Sequence, residues 1–146
     1  MRRVRCFGIN LARLDIRQEA DRHSKLLNEL FKKKYNIKYN SLSEKEKIKL
    51  LNKSIKEKKY FVDRIKITDK ENKEVWNTFK QISKSPNECL GAYVISMTSS
   101  ASDILSVLYL QKEANIKNKL RVVPLFETLD DLINAKSIMA SLFSLK

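Results

Sequence analysis

The chain has 146 residues, of which 42% are hydrophobic and 32% charged, a balance that excludes a disordered segment and leaves enough apolar material for the core of one domain. Its formal net charge is +13, and residues 32–84, with 16 lysines and one arginine against seven acids, carry about +10 of it. No apolar run approaches the roughly 20 residues of a membrane span, and the basic start MRRVRCFGIN has no apolar signal core behind it, so the composition reads as a soluble, cytoplasmic protein.

In chain order, residues 1–7 read as the tail of a helix closed by Gly8 as a left-handed C-cap. NLARLDIR then alternates like a strand, with Leu14 and Ile16 to one side and Arg13, Asp15 and Arg17 to the other. EADRHSKLLNELFKKK changes period and sets Leu26, Leu27, Leu30 and Phe31 at helical spacing. Ser43-Glu44-Lys45-Glu46 fits a capping box ahead of Ile48, Leu50, Leu51 and Ile55. Residues 58–68 read as a loop. Thr68 to Lys84 follows as a helix with the stripe Val75, Trp76, Phe79 and Ile82, stopped before Pro86. CLGAYVISM (89–97) is a continuous apolar run with the marks of a buried strand. The serines of SSASDILSVLYLQKEANI cap a helix reaching about Asn115. RVVPLFE (121–127) is a third short strand, and Thr128 caps a last helix whose first turn holds Asp130 and Asp131, where the helix dipole favours acids.

The order strand, helices, strand, helix, strand, helix is that of an α/β protein with a parallel sheet and right-handed crossovers. An eight-stranded barrel takes about 250 residues. With about three parallel strands and connecting helices, residues 1–146 form one partial domain, either a very small open sheet or an arc of a TIM-type barrel. The Lys-rich stretch of about 32–84 stands as a helical insertion.

Parallel sheets and barrels bind ligands at the carboxyl ends of their strands. Those ends are Arg17, Met97 with Thr98, and Glu127. An arginine there suits a phosphate or carboxylate through its planar fork, and a glutamate suits a hard cation such as Mg²⁺. The alternative is that the two charges pair with each other or with neighbours as structural ions. The sequence has two glycines, Gly8 and Gly91, so a Walker loop or GxGxxG turn is excluded. Any phosphate must be held by side chains or helix N-termini. The one histidine, His23, has neither a cysteine partner nor a nucleophile elbow and reads as a structural hydrogen-bonding group. Cys6 and Cys89 are far apart, form no CxxC, and read as buried thiols. The lysines of 32–84 alternate with Glu, Asn and Ile as on a solvated face. No RNP-like aromatic motif, Arg-rich tract or zinc finger accompanies them. A basic nucleic-acid-binding module through that stretch is nevertheless the alternative class, and a non-functional gene remnant is a third.

Three long segments carry a resemblance. RRVRCFGINLARLDIRQEADRHS resembles the phosphoenolpyruvate carboxylase segment built on LDIRQ-x-x-x-RH. GAYVISMTSSASDILSVLYLQKEA resembles that family's (A/G)AYVISM…SD(I/V)L segment, and RVVPLFETLDDLINA its V-x-PLFET-x-DL segment. They occur in the family's order from end to end, with the match weakest over 32–84. The resemblance implies a TIM-like barrel wrapped in helices. It also implies carboxylation of phosphoenolpyruvate by bicarbonate to give oxaloacetate and phosphate, anaplerotic to the tricarboxylic acid cycle, with Mg²⁺ or Mn²⁺. Arg17, the arginine of LDIRQ, is implied to contact the substrate phosphate, and Glu127, the glutamate of PLFET, to ligate the metal. A cytosolic homotetramer is implied as well. Family members are several times longer. Their TAHPT motif is expected before Met1, and GYSDS-x-KD and the HGRGG loop beyond Lys146, so this stretch alone is expected to be inactive.

Overall fold

The computed structural model describes residues 12–145; the helix tail read at 1–7, Cys6 and Gly8 lie outside them. Three strands, β1 (Leu14–Glu19), β2 (Leu90–Ser96) and β3 (Arg121–Pro124), form one parallel sheet in the order β1-β2-β3. Three helices connect β1 to β2: α1 (Ala20–Tyr35), α2 (Glu44–Lys56) and α3 (Lys70–Lys84). One helix, α4 (Ala101–Glu113), connects β2 to β3, and α5 (Leu129–Phe143) follows β3. The α/β class and the parallel pairing agree with the sequence reading, and an open sheet with connecting helices is consistent with part of a barrel.

The helices form where caps and apolar spacing agree. α1 buries Leu26, Leu27, Leu30 and Phe31 and ends at Asn36, whose φ of 56° is the left-handed C-cap conformation. α2 starts at the expected capping box, where the Glu46 carboxylate accepts from the Ser43 N–H at 2.8 Å. α3 buries Val75, Trp76, Phe79 and Ile82, but it starts at Lys70 rather than Thr68, capped by Asp69, which accepts from the Asn72 N–H at 2.9 Å. Thr68 is taken up elsewhere: its N–H and hydroxyl both donate to Glu29 on α1, at 2.7 and 2.8 Å. α4 is buried on nearly every side and forms the centre of the helical layer.

One core joins α1, α3, α4 and the helix-facing side of β2, where Tyr93 and Ile95 are fully buried. Phe31 stacks on Tyr39 and Tyr109 with ring centroids 5.6 and 5.5 Å apart. The Lys-rich stretch is therefore amphipathic: Tyr39, Leu51, Val62 and the α3 stripe pack inward while most of its lysines face solvent, Lys34 being the exception with its ammonium buried over the Phe61 ring at 3.2 Å. Among the described residues, no helix is long and apolar enough to cross a membrane.

Strand boundaries differ from the sequence reading in ways that bear on the site. β1 runs two residues beyond Arg17, to Glu19. β3 stops at Pro124 rather than Glu127, because the chain after Pro124 makes one more bond to β2, Leu125 N–H to the Ile95 carbonyl at 2.8 Å, and then leaves the ladder. β2 spans 90–96, with Cys89 half-buried in a preceding 3-10 turn rather than in the core. α4 ends at Glu113 because Asn115 turns left-handed, with φ of 52°.

The β1–β2 ladder also contains an irregularity. Leu14 pairs with Leu90 but Ile16 pairs with Tyr93, so the single residue Asp15 faces two residues of β2, Gly91 and Ala92. This is a β-bulge. Asp15 Oδ1 accepts from the Ala92 N–H at 2.7 Å.

Candidate active site at the carboxyl edge of the sheet

Arg17 lies in β1 abreast of Val94 in β2, on the side of the sheet away from the helices. Glu127 lies in the turn between β3 and α5. The two outer strands flank β2, and the long arginine side chain reaches over the carboxyl end of that central strand. Arg17 Nη2 donates to Glu127 Oε1 at 2.8 Å, across 110 positions of sequence. The second carboxylate oxygen, Oε2, accepts from the backbone N–H of Met97 at 2.8 Å. All three strand-end positions named from the sequence thus meet at one point.

The turn that presents the Met97 N–H is built by β2 itself. Thr98, fully buried, donates its N–H to the Leu125 carbonyl at 3.1 Å and its hydroxyl to the Ile95 carbonyl at 3.1 Å. That anchoring drives Met97 into the left-handed region, with φ of 54°. Among the described residues the other positive-φ residues outside glycine, Asn36 and Asn115, are of the type that tolerates this conformation, whereas methionine does so at a cost of order 1 kcal/mol or more. Strain held at a strand end, beside two charges, is characteristic of binding sites.

The site is open. The Arg17 and Glu127 side chains are 61% and 34% exposed, so their ion pair contributes about 0–1 kcal/mol and is readily exchanged for other partners. One Arg17 nitrogen is engaged and its remaining donors face outward, a fork suited to a tetrahedral oxyanion. Glu127 has the chemistry of a ligand to a hard cation. Such a cation takes about six oxygens, and among the described residues no three His, Cys, Asp or Glu side chains group to hold a metal. The chain fits a divalent ion as the source of one carboxylate ligand and not as a complete site.

His23 lies behind the sheet, fully buried, with Nε2 2.8 Å from the Tyr93 hydroxyl and its ring edge-on to Phe79. Burial, assisted by the Arg22 charge, lowers its pKa to about 3, so it is neutral at physiological pH and packed away from the open edge. Asp130 and Asp131 sit in the first turn of α5. Asp131 closes a capping box with Thr128, accepting from the Thr128 N–H at 3.2 Å, and forms no acid–base dyad with its neighbour. The residues that sequence reasoning passed over are Asp15 and Gly91. A glycine inside an otherwise bulky strand signals a bulge or a close approach, and that signal was available at Gly91.

A parallel sheet with helical crossovers, carrying an arginine and a carboxylate over the end of its middle strand, belongs to the class of α/β proteins whose ligands bind at the carboxyl ends of strands. The phosphoenolpyruvate carboxylase family profile matches residues 1–146. The chain is 44% identical over 145 residues to the phosphoenolpyruvate carboxylase of Shewanella sediminis, covering 99% of this chain and 16% of that protein. The Edwardsiella ictaluri protein of that name is likewise 44% identical over 145 residues, with the same coverage. The Medicago sativa protein is 42% identical over 146 residues, covering 99% of this chain and 15% of its own length. The chain belongs to the phosphoenolpyruvate carboxylase family, and it spans about a sixth of the length of the curated relatives it matches.

Proposed function

We propose that this chain forms part of the active site of a phosphoenolpyruvate carboxylase, with Arg17 as a contact to the substrate phosphate and Glu127 as one ligand of Mg²⁺ or Mn²⁺. The observation that carries the reading is the 2.8 Å contact between the arginine of LDIRQ and the glutamate of PLFET at the carboxyl edge of the sheet. A phosphate group and a cation beside it would need neighbouring partners of opposite sign, and this pair supplies them.

In the reaction, a bicarbonate oxygen attacks the phosphorus of phosphoenolpyruvate, the bond from phosphorus to the enol oxygen breaks, and carboxyphosphate and the pyruvate enolate result. Carboxyphosphate then releases carbon dioxide and phosphate, and C3 of the enolate attacks the carbon dioxide to give oxaloacetate. Arg17 holds the phosphoryl oxygens and offsets their charge as it redistributes during transfer. The Met97 N–H orients Glu127 through Oε2, and the carboxylate so held would serve as one ligand of the cation. When bound, the ion supplies positive charge against the developing enolate oxygen. Within this chain, which has two glycines and no glycine-rich loop, side chains and helix N-termini are the phosphate donors available.

One carboxylate does not complete a divalent site, and five-sixths of the relatives' length is outside this chain. The isolated chain therefore makes no oxaloacetate. The remaining ligands and the bicarbonate contacts come from further parts of a complete enzyme, which on the family resemblance is a cytosolic homotetramer. Titration of phosphoenolpyruvate with Mg²⁺ into the ¹⁵N-labelled chain tests the reading. Resonances of the Arg17 guanidinium and the Met97 amide are expected to move together, and a titration that leaves both in place contradicts it.

A further inference from the structure

We propose that Asp15 is the positioning residue for Arg17, and that Gly91 is the strand residue that admits it. The proposal rests on the phosphate role given to Arg17 above.

The bulge at Asp15 sets the register of β1 on β2. Before it, Leu14 pairs with Leu90; after it, Ile16, Arg17, Gln18 and Glu19 pair with Tyr93, Val94, Ile95 and Ser96. The offset between the strands grows by one residue across Asp15. Without that step, Arg17 would lie abreast of Tyr93, whose side chain is fully buried against the helices. Strand side chains alternate faces, so a slip of one residue carries a side chain to the opposite side of the sheet. Arg17 would then face the helical layer, with no route to Glu127. The bulge therefore decides which face of the sheet receives the guanidinium.

A bulge breaks the ladder and leaves polar backbone unmatched. Here the Asp15 carboxylate accepts the Ala92 N–H at 2.7 Å, using a side chain to complete the ladder where the backbone of β1 does not. Glycine at 91 is required for that contact: a Cβ built there collides with Asp15 Oδ1 and also approaches Arg13 Cβ at 3.7 Å. The clamp matters more because β1 has β2 as its only strand neighbour among the described residues. Among the described residues no second ladder holds its register, and edge strands slip most easily. Asp15 forms no hydrogen bond or ion pair with Arg17 or Glu127 and acts through the register alone.

The test is a titration of inorganic phosphate into the purified chain, followed at the Arg17 guanidinium resonance, with amide exchange at Ala92 measured in parallel. Asp15→Ala is expected to weaken phosphate by about tenfold or more and to speed Ala92 exchange. Asp15→Asn, whose amide oxygen accepts the same N–H, is expected to stay within about threefold of the parent. A purely structural role would not make phosphate affinity follow the acceptor atom in this way. If Asp15→Ala binds phosphate as the parent does while Arg17→Gln abolishes the response, the positioning role is overturned and the reading of Arg17 stands. If Arg17→Gln leaves the phosphate response unchanged, the reading of Arg17 fails and the proposal with it. Should Asp15→Ala not fold, Gly91→Ala attacks the same contact from β2, and parent-like phosphate affinity in that variant overturns the proposal.

Discussion

Arg17 and Glu127 illustrate how much a single residue type at a strand end discloses. Each is a full charge directly after apolar residues, and strand logic marked both. Their meeting was not legible, because the 2.8 Å contact joins positions 110 apart and depends on both outer strands flanking β2. The alternative in which the two charges pair with each other is what the structure shows, and an exposed pair worth about 0–1 kcal/mol does not compete with a site that exchanges it. His23 gives a second prediction at this scale. Its folded pKa, lowered to about 3 by burial and then by Arg22, lies below the unfolded value near 6.5. Between those values the unfolded chain takes up a proton that the folded chain refuses. Stability is full above pH 6.5 and falls as the pH drops toward 3, by up to about 1.4 kcal/mol per unit. Urea unfolding is expected to show a loss of about 2 kcal/mol from pH 7 to 5, and His23→Gln is expected to remove that loss. Equal stability of the parent at the two pH values would contradict the assignment.

At the scale of elements, the helices were legible wherever capping chemistry and the apolar stripe coincide, as at Ser43 and Thr128. Where a residue's hydrogen bonds go to a distant element, local reading fails. Thr68 looked like a helix start, yet Glu29 on α1 takes its N–H and hydroxyl, and Asp69 caps α3 instead. Glu29 also accepts from Lys33 at 2.6 Å and Asn72 at 2.7 Å, so one carboxylate staples α1 to the start of α3. Burial acts to raise its pKa, but hydrogen bonds from Lys33, the Thr68 backbone, Asn72 and the Thr68 hydroxyl outweigh it and hold the pKa at about 2. That stability is complete above about pH 4.5 and is lost as pH falls toward 2, clear of the interval used for His23. Glu29→Ala is expected to cost about 2–3 kcal/mol at pH 7, since it strands several donors at once; Glu29→Gln, which keeps one acceptor, is expected to cost less. A urea midpoint unmoved by Glu29→Ala would show that α1 and α3 are held by apolar packing alone.

For the whole molecule, the alternation of strands and helices disclosed the parallel sheet, while the bulge at Asp15 was only half legible: Gly91 marks a close approach within β2, but register is a property of two strands. The helical layer is well closed around α4, but α5 is not: Leu129, Ile133 and Phe143 are 74%, 70% and 78% exposed, and Ile138 is its one buried residue. An α/β layer with one helix so lightly packed fits a chain that spans a sixth of its relatives. The central claim is that Arg17 and Glu127 are parts of a carboxylase site completed by the rest of such an enzyme. Its most direct test replaces the matching segment of the Shewanella sediminis carboxylase with residues 1–146 and measures oxaloacetate formation, with Arg17→Gln and Glu127→Gln introduced singly. The account predicts an active hybrid in which each substitution lowers kcat/KM by about 100-fold or more. A hybrid that turns over equally well with either substitution would contradict it.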